Sequence, residues 1–184
     1  MSADRVWTLP NVLTFSRLGM CAALFAFIAV EAWIWALALF ALASFTDWLD
    51  GFLARVLNAG SVLGRVLDPL VDKVLITGAF IFLLPIGMRD GWLMPWMVVV
   101  VTAREFLITG LRGYLESRGV AFGADWLGKL KMMLQCAAVA IALLSELVRG
   151  WAPIRDAMMI GMVIATIVSG LQYVWRAASV RPTT

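Results

Sequence analysis

From Pro10 onward the chain is a succession of long apolar runs separated by short polar or glycine-rich stretches. The first run opens at Pro10 with Asn11 and reaches about Val30. A turn around Glu31 leads to a second, from about Trp33 to Leu57. The third starts near Ser61, a residue suited to capping a helix, and is expected to end before Pro85. Pro85–Gly91, PIGMRDG, reads as the clearest polar loop, and Ser117–Asp125 as a second. Further runs cover about Trp92 to Glu116, Trp126 to Val148 and Ala152 to Trp175. At 1.5 Å per residue, about 20 apolar residues cross a hydrocarbon layer of about 30 Å. The pattern predicts an all-α polytopic membrane protein, with six transmembrane helices in one bundle and a single domain over residues 1–184. Residues 1–9, polar apart from Trp7 and Leu9, read as a short interfacial lead-in.

Composition agrees with that pattern. Of the 184 residues 62% are hydrophobic and only 15% charged, and mean hydropathy is +0.91, more apolar sequence than a water-soluble core can use. The net charge of +3 is assigned to residues flanking the spans, because no basic-aromatic motif of a nucleic-acid module accompanies it. The absence of histidine removes Ser-His-Asp and Cys-His hydrolysis, His-ligated zinc and phosphohistidine chemistry. Cys21 and Cys136 both fall in apolar runs and build no thiol motif. No cleavage-site pattern precedes the first run, so no removable signal peptide is expected.

Against this apolar background, Asp47, Asp50, Asp68 and Asp72 stand out. Each carboxylate at mid-bilayer costs about 2.5–3.5 kcal/mol on insertion scales, so four together need a compensating partner. On helices, Asp47 and Asp50 share a face at i, i+3, and Asp68 and Asp72 at i, i+4. A turn at Asn58-Ala59-Gly60 folds one helix back on the other and can bring the pairs together. Converging carboxylates without histidine or cysteine suit hard, oxygen-seeking cations, Mg²⁺ or Mn²⁺. The structural alternative is a cluster neutralised by Arg55, Arg65 and Lys73.

The run Asp47-x-x-Asp50-Gly51-x-x-Ala54-Arg55, eight residues, then Gly64-x-x-x-Asp68-x-x-x-Asp72, resembles the full signature of the CDP-alcohol phosphotransferases. Those are integral membrane enzymes that join a CDP-linked donor to an alcohol and release CMP. The resemblance implies two divalent cations held by Asp47, Asp50, Asp68 and Asp72, with Asp72 also in the role of general base toward the alcohol. It also implies a homodimer. The residues themselves fit a nucleotide site. Asp47, Gly51, Ala54, Arg55 and Asn58 form one helical stripe; Gly51 and Ala54 leave room for a flat ring, and Arg55 can pair with a phosphate oxygen. Gly64, Asp68 and Asp72 form a similar stripe, loosened by Pro69. Gly60-x-x-x-Gly64 also reads as a close-packing pair of small residues. Family members often open with Pro-Asn-x-x-Thr-x-x-Arg, matched here by Pro10, Asn11, Thr14 and Arg17, so Asn11 and Thr14 are expected at the CDP end. The alternative for that stripe is an interfacial cap with a snorkelling arginine.

Arg104-Glu105-Phe106-Leu107-Ile108-Thr109-Gly110-Leu111-Arg112, followed by Gly128-Lys129-Leu130-Lys131 and Gln135, is similar to the branch of that family that makes phosphatidylglycerophosphate. CDP-diacylglycerol and sn-glycerol 3-phosphate are then the expected substrates. Arg104, Arg112, Lys129 and Lys131 are the expected acceptor-phosphate residues, and Glu105 would orient one of the arginines. Other acceptors (phosphatidylglycerol, serine, inositol phosphate) remain open, as does a cation- or proton-coupled transporter built on the same carboxylates. In a six-span arrangement, twelve of the fifteen Lys and Arg fall on the side of the aspartates and the termini. That predicts a cytoplasm-facing site in a bacterial inner membrane.

Overall fold

The computed structural model describes residues 9–57, 62–118, 126–148 and 150–179, with side chains for 16–46, 70–118, 126, 128–148 and 150–179. Six helices and no strands make up the described residues: α1 (Leu9–Ala29), α2 (Trp33–Leu57), α3 (Val62–Asp90), α4 (Pro95–Ser117), α5 (Trp126–Leu147) and α6 (Ala152–Ser179). The expected helices are all present, with one substantive correction. Pro85 does not end the third helix: α3 continues through Pro85–Asp90, where a polar loop was expected. Pro85 forgoes one backbone bond to the preceding turn, but the added turn buries Ile86 and lays Gly87 against Leu93. The stop comes at Gly91. Its φ of +79° lets the Trp92 N–H reach back 2.9 Å to the Gly87 carbonyl, the closure of a Schellman-type C-terminus. Chain direction then recovers at Pro95, whose fixed φ suits a first helical position, so α4 starts three residues later than expected.

Helix α1 packs along both α2 and α3, α5 along α6 and α2, and α4 along α6, while α3 also touches α4 and α5. Both helices of the α2–α5 contact bury alanines, Ala36 and Ala43 on one and Ala138 and Ala142 on the other, which lets backbones come close. Around them Leu24, Ile28, Leu83, Leu143, Met159 and Met162 complete a core sealed from solvent. The outward faces are apolar as well: Ile160, Ile164, Ile167, Leu171 and Trp175 of α6 are exposed, as are Val99, Phe106 and Leu107 of α4. A helix apolar on both sides is solvated by lipid.

Three stretches, Leu70–Asp90, Gly128–Leu147 and Ala152–Ser179, are long and apolar enough to cross a membrane, which marks the chain as an integral membrane protein. Helix α4 misses that mark because it carries Arg104, Glu105, Arg112 and Glu116 along its length. At one end of the bundle the short turns are tied by charge. Arg89 lies 3.5 Å from Glu31 and 3.0 Å from Asp90. Arg155 lies 2.9 Å from Asp156 and 3.7 Å from Glu146, with its guanidinium 4.7 Å from the Trp92 ring centre.

Candidate functional site

A cavity of about 680 Å³ opens between α3, α4 and α5. Its α4 wall follows from four-residue spacing: Arg104, Ile108, Arg112 and Glu116 form one ridge, with Glu105 and Thr109 beside it. Helix α3 contributes Asp72 and Lys73, and α5 contributes Lys131 and Gln135. Behind the α4 ridge stands α6, which sends Ser169 and Tyr173 to the two arginines.

Arg17 of α1 carries a cation from the apolar first helix to Asp72. Its side chain is 1% exposed and reaches within 3.4 Å of Asp72 Oδ1. A snorkelling arginine would keep its head in water, which Arg17 does not. Arg17 is instead a buried cation facing a carboxylate, the pairing that makes such burial tolerable.

On the opposite wall Glu105 collects three donors. Lys131 Nζ bonds it directly, Arg104 Nη1 lies at 3.4 Å and Gln135 Nε2 at 3.5 Å. Glu105 was expected to orient an arginine; its nearest partner is Lys131. Arg104 also donates from Nη2 to Ser169 Oγ at 3.2 Å. Arg112 donates from Nη2 to the Tyr173 hydroxyl at 3.0 Å. Both guanidinium carbons lie near the Tyr173 ring centre, at 5.7 and 5.9 Å. The Nε donors of Arg104 and Arg112 are buried and have no partner among the described residues. Arg112 is therefore held by a neutral phenol, and positive charge is left over on this wall. An anionic group such as a phosphate monoester fits that surplus.

The structure thus brings Asp72, Arg104, Arg112 and Lys131 to one cavity. Lys129 is exposed and is not among the lining residues. Asp47, Asp50, Gly51, Ala54 and Arg55 lie on α2, Gly64 and Asp68 on α3, and Asn11 and Thr14 on α1. Their side chains lie outside the described residues, as do the whole of Asn58, the turn at 58–61 and the loop at 119–125. Ser169 and Tyr173 escaped the sequence reading. Their only signal is that, with Thr166 and Gln172, they form a short polar stretch within a largely apolar run, where polar side chains tend to mark function.

Comparison with known proteins converges on the same chemistry. A family model described as CDP-alcohol phosphatidyltransferase matches residues 7–170. The chain is 35% identical to the CDP-diacylglycerol–glycerol-3-phosphate 3-phosphatidyltransferase of Bacillus subtilis, over 91% of this chain and 94% of that protein. It is 37% identical to a probable phosphatidylglycerophosphate synthase of Mycobacterium tuberculosis, over 94% of this chain and 83% of that one. A CMP-forming cardiolipin synthase of Oryza sativa is 30% identical over 93% of this chain and 55% of its own length. With the aspartate signature complete in the sequence and the family match running nearly end to end, the chain belongs to the CDP-alcohol phosphatidyltransferase family.

Proposed function

We propose that the protein transfers the phosphatidyl group of CDP-diacylglycerol to sn-glycerol 3-phosphate, giving phosphatidylglycerophosphate and CMP. The observation that carries the acceptor assignment is the Arg104–Arg112 pair on the cavity wall, within the same cavity as Asp72. Glycerol 3-phosphate brings both a hydroxyl and a dianionic phosphate monoester. Seating the phosphate on the two arginines holds the molecule by one end and leaves its hydroxyl to be presented to Asp72. Asp72 then accepts the hydroxyl proton as the oxygen bonds to the lipid-side phosphorus, and the bond to the CMP oxygen breaks.

Asp47, Asp50, Asp68 and Asp72 fit hard divalent cations by donor type, and Asp72, the described member, lines the cavity. Two such ions, Mg²⁺ or Mn²⁺, would supply neutralisation of the diphosphate charge when bound. Asn11, Thr14, Gly51, Ala54, Arg55 and Gly64 are assigned to the CDP end by the signature they complete. Lys129, exposed near the start of α5, joins this proposal as a residue that attracts the anionic acceptor. We read all six helices as membrane-crossing, the site as facing the cytoplasm of a bacterial inner membrane, and the working unit as a homodimer.

The test is CMP release by detergent-purified protein given CDP-diacylglycerol, Mg²⁺ or Mn²⁺, and one acceptor at a time. Release is expected with glycerol 3-phosphate and not with phosphatidylglycerol, serine or inositol phosphate. Asp72→Asn should lower the rate by about 10²–10⁴-fold. The similarity to a cardiolipin synthase favours phosphatidylglycerol as the second reading. Because that lipid has no phosphate monoester, release with it would discard the role given to Arg104 and Arg112.

A further inference from the structure

The two arginines come from one helix, and on that helix only Arg104 meets a partner, Glu105 at 3.4 Å, so α4 by itself does not fix their separation. Arg104 and Arg112 are two turns apart on α4, and each long side chain has several rotamers that would carry its charge outward along the cavity. The restraint comes from α6. Tyr173, 3% exposed, receives a hydrogen bond from Arg112 and lies under both guanidinium groups. Ser169, one turn earlier and 1% exposed, receives the hydrogen bond from Arg104. Between them Gly170 makes room for the arginine stem: a Cβ there would lie 3.2 Å from Arg104 Cγ. Two like charges held close together repel, and one aromatic face that attracts both offsets part of that repulsion.

We infer that Tyr173 is a positioning residue for the acceptor: with Ser169 it sets the spacing of Arg104 and Arg112, and so the preference for an alcohol bearing a phosphate monoester. This rests on the reading above that the two arginines receive the acceptor phosphate. It assigns to the last helix a part in substrate selection.

The experiment is steady-state kinetics of the purified full chain with CDP-diacylglycerol, varying glycerol 3-phosphate, for wild type, Arg112→Ala, Tyr173→Phe and Tyr173→Leu. Tyr173→Phe keeps the ring and removes the hydroxyl, a hydrogen bond to a charged group, so KM for glycerol 3-phosphate should rise about tenfold. Tyr173→Leu removes the ring as well and should raise it further, by about another threefold. In both variants KM for CDP-diacylglycerol and kcat at saturating acceptor should stay within about twofold of wild type, a split that uniform loss of acceptor binding produces. Tyr173→Phe changes packing least and keeps the test decisive if the leucine variant misfolds. If Arg112→Ala raises KM for glycerol 3-phosphate and Tyr173→Phe leaves it unchanged, the inference falls alone. A Tyr173→Phe loss confined to kcat, or shared equally by both substrates, also overturns it, because a merely structural role predicts that result. If wild type does not use glycerol 3-phosphate, or Arg112→Ala leaves its KM unchanged, the acceptor reading itself fails and takes the inference with it.

Discussion

A buried lysine in this protein is paired with a carboxylate from another helix. Lys131 is 5% exposed and bonds Glu105, itself 11% exposed. Removing the acid strands the cation in a low-dielectric wall, and breaking a buried pair in that way costs about 3–5 kcal/mol. Glu105→Ala should therefore lower the thermal unfolding midpoint in detergent markedly, and adding Lys131→Met should restore much of the loss. A strongly negative coupling between the two substitutions is the signature; additive effects would show that the pair does not hold the wall together. The same pair shows what a linear chain conceals. The sequence offers Glu105 an adjacent arginine, whereas the partner it bonds most closely lies 26 residues away on another helix. Arg17 is a parallel case. Its position in a polar stripe was legible, but the identity of its partner, 55 residues on, was not.

Helices were legible wherever a long apolar run met a strong stop, and least legible where two local signals competed. Pro85 is a helix breaker by its chemistry, yet the burial of Ile86 and the glycine stop six residues later outweighed it. Ser169 and Tyr173 were hidden for a different reason, since polar residues on an apolar helix gain meaning only when α4 is packed beside them. Helix contacts also separate two glycines of α3 that look alike in sequence. A Cβ at Gly78 would strike the edge of the Phe25 ring, which stacks on Phe82 at 4.9 Å. A Cβ at Gly87 would strike Leu93 at its Cβ and lie 3.2 Å from its backbone N and Cα. A ring can tilt away, but a backbone held by the turn at Gly91 cannot. Overpacking costs about 1–3 kcal/mol, so Gly78→Ala should fall at the low end and Gly87→Ala at the high end. Thermal unfolding of the two variants checks the order, and a larger loss at Gly78 would mean that the α3 turn yields more easily than the ring stack.

At the scale of the whole molecule, the orientation we propose in the membrane rests on the distribution of charge between the two ends of the bundle. The short turns between α1 and α2, α3 and α4, and α5 and α6 share one end, where Arg89 and Arg155 are surrounded by Glu31, Asp90, Glu146 and Asp156. The cations there are matched by acids. Arginine and lysine retained on the cytoplasmic side orient a membrane chain, and in the six-span arrangement we propose, twelve of the fifteen fall toward the other end. The cavity follows that charge: Asp72 and Arg112 lie in the halves of α3 and α4 away from the tied turns, and Arg104 lies near the middle of α4. Thiol labelling tests this directly. Cys21→Ala with Cys136→Ala removes both native thiols, and Met88→Cys or Ser117→Cys then places a single exposed thiol at either end. With a membrane-impermeant maleimide, right-side-out vesicles should label Met88→Cys and spare Ser117→Cys, and inverted vesicles should do the reverse. The opposite pattern would open the cavity to the outer face, away from any cytoplasmic pool of a phosphorylated acceptor. The acceptor assignment could not stand with that topology, however well two arginines match a phosphate.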